Sequence, residues 1–101
     1  MLIYNVTLKV DWTIAAEWLA WMQQEHIPEV MHTGCFEKHV LLRLLQTDET
    51  DGPTYAVQYF ASSFAKYEDY ISQYAPALRQ KTMEKWGEKF IAFRSLMEIV
   101  D

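Results

Sequence analysis

Cysteine occurs once in this chain of 101 residues, glycine three times and proline three times. A lone Cys35 excludes an intrachain disulfide, and Thr33-Gly34-Cys35 offers no second Cys, His or Asp at nucleophile or metal spacing. A reducing, cytoplasmic compartment fits this usage. The scarcity of Gly and Pro, with half of the residues hydrophobic and 15% aromatic, excludes a disordered or low-complexity chain. Basic residues number nine against 14 acidic ones, for a net charge of -5, and they never gather into a stripe that would follow a phosphate backbone. Nucleic acid is therefore not expected as a partner. No apolar run approaches the roughly 20 residues needed to span a bilayer, and the start, Met1 to Asn5, lacks the basic flank of a signal peptide. A glycosylation sequon at Asn5-Val6-Thr7 falls inside a strand-like segment and is discounted. Phosphate-binding loops, GxGxxG, GxSxG and CxxC are all missing, which removes the usual evidence for nucleotide and covalent chemistries.

What is present is one domain, residues 1-101, because a chain of this length has room for a single core. A chain this small buries only about two thirds of its unfolded surface, so a subunit interface would add useful stability.

Residues 2 to 10 alternate, with Leu2, Tyr4, Val6, Leu8 and Val10 on one side and Ile3, Asn5, Thr7 and Lys9 on the other. That is a strand with one core face. Asp11 or Thr13 can then cap a helix in which Ile14, Trp18, Trp21 and Met22 recur at helical steps, running to about Met31. Pro28 inside it removes an N–H and predicts a kink near His26. After Gly34, residues 36 to 45 read as a strand with Val40, Leu42 and Leu44 turned to the core. The polar stretch from Gln46 to Pro53 reads as a hairpin loop. Thr54 to Ala61 is a third strand, with Tyr55, Val57 and Tyr59 on one side. Ser62 or Ser63 opens a second helical region, which Pro76 divides into two pieces before Trp86-Gly87. Phe90 to Val100 closes the chain as a fourth strand, with Phe93 and Met97 assigned to the core side.

This order predicts an α+β, ferredoxin-like β-α-β-β-α-β fold, a four-stranded antiparallel sheet with its helices on one face. The other face is expected to carry Ile3, Leu41, Leu45, Phe60, Phe90 and Leu96 as one apolar patch, interrupted by Asn5, Arg43, Gln58 and Arg94. A second copy packed sheet to sheet would bury it, so a homodimer is expected. Enclosed between two sheets, Asn5, Arg43, Gln58 and Arg94 could hold a small anion, since guanidinium groups bind carboxylates and phosphates with paired hydrogen bonds. The simpler reading is that they pair with Glu37, Glu98 or the partner and fix the register.

His26, beside the kink, is the candidate acid or base; alternatively it caps freed carbonyls at a helix end. His26, His32 and His39 lie six and seven residues apart, which suits neither a helical nor a strand metal pair, so no metal site is assigned. The aromatic residues, among them Trp12, Trp18, Trp21, Tyr67, Tyr70, Tyr74 and Trp86, could line a pocket for a planar ligand, although helical spacing makes them core first.

The segments Ile3-Tyr4-Asn5-Val6-Thr7, Glu25-His26-Ile27-Pro28-Glu29-Val30 and Thr33-Gly34-Cys35-Phe36, together with Trp18 to Met22, Tyr55 to Tyr59 and Phe93-Arg94, resemble a family of short bacterial proteins known only as a domain of unknown function. More distantly, the layout is similar to the dimeric α+β barrel superfamily, which includes cofactor-free monooxygenases, mutarotases and muconolactone isomerases. That likeness implies a ligand cavity between sheet and helices, recruiting Tyr4, His26 and the Trp residues, and a protein that needs no cofactor. Fold alone does not fix function. Two expectations follow: a small-molecule binder or cofactor-independent enzyme taking an anionic or aromatic ligand, or a non-enzymatic dimeric interaction module.

Overall fold

The computed structural model describes all 101 residues. Its strands are β1 (Leu2–Val10), β2 (Lys38–Arg43), β3 (Thr54–Ala61) and β4 (Phe90–Glu98). Between β1 and β2 lie α1 (Ala15–Trp21), a π-helical turn (Met22–His26) and α2 (Ile27–His32); between β3 and β4 lie α3 (Phe64–Asp69), a second π-helical turn (Tyr70–Tyr74) and α4 (Ala75–Trp86). All strand pairs are antiparallel and the sheet order is β2-β3-β1-β4. This is the ferredoxin-like arrangement, with β1 and β3 central and β2 and β4 at the edges.

β1 and β3 follow their alternation. Tyr4 lies opposite Tyr59, Val6 opposite Val57 and Leu8 opposite Tyr55, all on the helix side. Trp18, Val10, Val30 and Val57 are fully enclosed between sheet and helices. Phe36 and Cys35, just before β2, also enter this core.

The two edge strands have the opposite facing to that expected from sequence. In β2, Leu41 sits across from Val57 and His39 across from Tyr59, so His39, Leu41 and Arg43 face the helices. Val40 and Leu42 are on the open face, 38% and 40% exposed. In β4, Phe90 pairs with Val10, Ala92 with Leu8, Arg94 with Val6 and Leu96 with Tyr4, which places all four on the helix side. Ile91 and Phe93 are on the open face, 59% and 68% exposed. The cause is that both faces of each edge strand carry apolar residues, so alternation does not choose between them. Backbone bonds at the strand ends do. Glu37 N–H donates to Phe60 O at 2.8 Å and Leu44 N–H to Thr54 O at 2.9 Å, while Asp11 N–H donates to Lys89 O at 2.9 Å and Ile99 N–H to Met1 O at 3.0 Å. The open patch thus keeps Ile3 and Phe60 and gains Val40, Leu42, Ile91, Phe93 and Met97. Leu41, Phe90 and Leu96 belong to the other side, and Leu45 lies beyond the end of β2.

Each of the two helical prolines has a π-helical turn just ahead of it. Pro28 and Pro76 are the second residues of α2 and α4. Proline has no N–H and its ring displaces the carbonyl four residues back, so the preceding turn widens. Ile27 N–H bonds to Met22 O and Ala75 N–H to Tyr70 O, each five residues back. Ser63 caps α3 by accepting from Lys66 N–H at 3.2 Å, whereas Asp11 closes a local turn with Thr13 ahead of α1. The hairpin loop is tied to β1 by the exposed Trp12, whose indole donates to Glu49 O at 2.7 Å. No helix is long and apolar enough to cross a membrane.

Candidate functional site

A cavity of about 380 Å³ opens between the sheet and the helices. β1 supplies Tyr4, Val6 and Leu8; β3 supplies Val57 and Tyr59; β4 supplies Phe90, Ala92 and Arg94. Trp18, Met22, His26 and Tyr70 enter from α1 and the two π turns, and Leu78, Arg79, Thr82 and Met83 from α4. The wide turns matter here. Met22 and His26 span the first π turn and Tyr70 begins the second, so the segments opened by Pro28 and Pro76 both contribute to the hollow.

Four aromatic rings pack together at one side of the cavity. Tyr4 lies 6.2 Å from Phe36, 6.2 Å from Tyr59 and 5.8 Å from Tyr70 between centroids. Such offset and tilted pairs are favourable beyond their buried area. Burial pushes the phenols of Tyr59 and Tyr70 far up, so both remain protonated donors. The charges of Arg79 and Arg94, which line the same cavity, pull the Tyr70 phenol back down. Arg79 Nη2 also donates to Tyr4 Oη at 3.1 Å.

His26 is partly buried, and loss of water around it lowers its pKa from 6.5 to about 4. Glu29 raises it and Lys81 lowers it, and these two are themselves joined, Lys81 Nζ to Glu29 Oε1 at 2.7 Å. At neutral pH the imidazole is uncharged and able to accept a proton. Two further groups are unsatisfied. The Tyr59 hydroxyl and the Trp18 indole N–H are buried with no hydrogen-bond partner, and both residues line the cavity. A buried donor without a partner carries a desolvation cost.

Tyr4, His26 and Arg94 are therefore brought together, although sequence alternation had put Arg94 on the opposite face of the sheet. Asn5 and Gln58 are cross-strand neighbours on the open face, where Asn5 Nδ2 donates to Thr7 Oγ1 at 3.0 Å. Arg43, at the end of β2, is held by Glu49 through contacts of 2.9 and 3.0 Å. The four polar residues expected to frame one anion site are thus divided among three places. Arg79, Tyr59 and Thr82 were not singled out by sequence. The one available signal was that Ala75, Leu78, Thr82 and Trp86 form an inward stripe on α4, with Arg79 and Met83 beside it. No group of three His, Cys, Asp or Glu side chains stands close enough to hold a metal ion.

Residues 1–100 match the family model described as Domain of unknown function (DUF4286), and the chain belongs to this family. No curated protein matches it. Among solved structures it is similar to MhuD, a heme-degrader from Mycobacterium tuberculosis with two hemes bound in its active site, at 15% identity and a TM-score of 0.72, over 100% of this chain and 97% of that one. It is also similar to SnoaB, a cofactor-independent oxygenase from Streptomyces nogalater, at 12% identity and a TM-score of 0.71, over 99% and 94% of the two chains. A dimeric ferredoxin-like protein from an uncultured marine organism matches at 11% identity and a TM-score of 0.67, over 100% and 96%. At such identities the likeness extends to the fold alone.

Proposed function

For this member of a family without an assigned activity, we propose a homodimeric small-molecule enzyme that needs no cofactor, with a largely apolar substrate in the cavity and His26 as its acid or base. The observation that carries this reading is the cavity itself: a largely apolar hollow lined by a neutral imidazole and two guanidinium groups, Arg79 and Arg94. Its volume lies within the range of roughly 300 to 1,000 Å³ common for ligand pockets. A general base must be uncharged at working pH and within reach of the substrate proton. That burial keeps His26 uncharged and that it lines the hollow both support this reading. Tyr4 and Arg94 are proposed as ligand contacts.

The dimer is proposed through the open sheet face. Val40, Leu42, Ile91 and Phe93 leave an apolar surface there that water does not favour. Asn5 and Gln58 would lie within that interface as polar groups that fix register. The buried, unpaired Cys35 favours a cytoplasmic site of action.

A thermal-shift screen against aromatic and alicyclic metabolites, followed by turnover assays on the hits, tests the enzyme reading. Stabilisation of several degrees, with turnover abolished in His26→Ala but binding retained, is expected. Binding without any His26-dependent turnover would leave a binder in place of an enzyme. The non-enzymatic alternative draws on the same exposed face, since Phe93 and Ile91 could equally meet a different protein. Affinity capture that recovers a stoichiometric partner on that face would favour it.

A further inference from the structure

We infer that the cavity selects a planar organic acid, its aromatic body inside and its single anionic group held at the mouth between Arg79 of α4 and Arg94 of β4. This rests on the cavity reading above and adds the chemical class of the ligand.

The first ground is charge. The chain carries 14 acidic residues against nine Lys and Arg, yet no Asp or Glu lines the cavity, whereas Arg79 and Arg94 do. An acidic protein has kept one opening free of its own prevailing charge. Such a local field attracts anions while the rest of the surface repels them. The second ground is that neither guanidinium is neutralised. The ion pairs of the protein are Arg43 with Glu49 and Lys81 with Glu29. Arg79 spends one N–H on the Tyr4 hydroxyl, and Arg94 makes no side-chain hydrogen bond. Both are solvent-exposed, so the empty site costs little, while their remaining donors stay available. The third ground is placement. The two arginines belong to different layers, helix and sheet, and both line the same cavity. Two guanidinium groups at one opening can hold a carboxylate or sulfonate by charge-assisted bonds and orient the body attached to it.

The test uses two dyes with one aromatic body, 8-anilinonaphthalene-1-sulfonate and the uncharged N-phenyl-1-naphthylamine, titrated by fluorescence at pH 7 into the full chain. The sulfonate is expected to bind about tenfold or more tightly than the neutral dye. Arg79→Gln and Arg94→Gln should each weaken the sulfonate about tenfold and leave the neutral dye within about twofold, as charge-assisted bonds predict. Amide shifts on Tyr70 and Leu78, rather than on Val40 and Leu42, should place the dye in the cavity. Equal affinity for the two dyes, or arginine variants that affect both alike, would overturn the anionic selection while leaving the cavity reading intact. Failure of both dyes to bind, or shifts confined to the open sheet face, would overturn the cavity reading and this inference together.

Discussion

The imidazole of His26 stacks on the indole of Trp21, ring centroids 5.0 Å apart and planes 24° from parallel. Trp21 in turn meets Trp86 edge-on at 5.7 Å, so the histidine is braced from the first helical region through to the end of α4. The stack keeps water from one side of the ring, and the other side borders the cavity.

This makes stability depend on acid. His26 takes up a proton near pH 6.5 in the unfolded chain but only at about 4 in the folded one. The unfolded state therefore binds more protons across that window, and stability is lost as pH falls from 6.5 towards 4. Allowing for residual exposure of the ring, the loss is about 2 kcal/mol. Urea midpoints measured across this window should fall for the parent protein and fall less for His26→Gln. Asp11 and Asp48, held low by hydrogen bonds from Thr13 and Thr50, act below the window and are common to both proteins.

The position of His26 depends on Pro28. Replacing it by Ala restores an N–H and removes the clash that widens the turn, so the stretch from Met22 to His26 can close to an ordinary α-helix. Closing the turn swings the imidazole away from the cavity. In Pro28→Ala the ring should titrate close to 6.5 in an NMR pH series, and a value still near 4 would show that packing alone holds it.

Facing in the edge strands gives a sharp contrast. Phe93→Glu or Leu42→Glu alters an exposed open-face residue and should convert a sedimenting dimer to a folded monomer. Leu41→Glu, next in sequence to Leu42, faces the core and should unfold the domain. Parent protein that already sediments as a monomer at micromolar concentration would remove the proposed interface.

Tyr59→Phe deletes a buried hydroxyl that has no partner. The empty protein should become more stable by about 1 kcal/mol, because an unsatisfied group is lost and packing is kept. A thermal midpoint that falls in Tyr59→Phe would show instead that the hydroxyl has a partner in solution.

Gly52 is required by close approach. A Cβ built there would lie 1.7 Å from the carbonyl oxygen of Val10. The hairpin loop crosses the end of β1 at this point, where Val10 N–H donates to Pro53 O at 3.0 Å. Gly52→Ala should cost on the order of 3 kcal/mol, visible as a fall in thermal midpoint of roughly 10 to 20 °C.

The order of elements, the two central strands and the two places where helices open were all legible in the residues. Tyr4, Val6 and Leu8 alternate with Asn5, Thr7 and Lys9, a contrast wide enough to fix which side of β1 meets the core. Pro28 and Pro76 mark the wide turns because a missing N–H is a local fact of the chain. The facing of β2 and β4 was not legible. Val40 and Leu42 against Leu41, and Ile91 and Phe93 against Phe90 and Ala92, are nearly balanced in hydrophobicity, so a period of two has no preferred phase. Only the backbone ladder to β3 and β1 sets it. That same ladder carries Arg94 to the helix side, where it meets Arg79 from a helix 15 residues earlier and His26 from the other half of the chain. Local chemistry determined what the elements are; their hydrogen-bonded register determined which side chains share the cavity, because a one-residue change of phase moves every side chain of a strand to the opposite face.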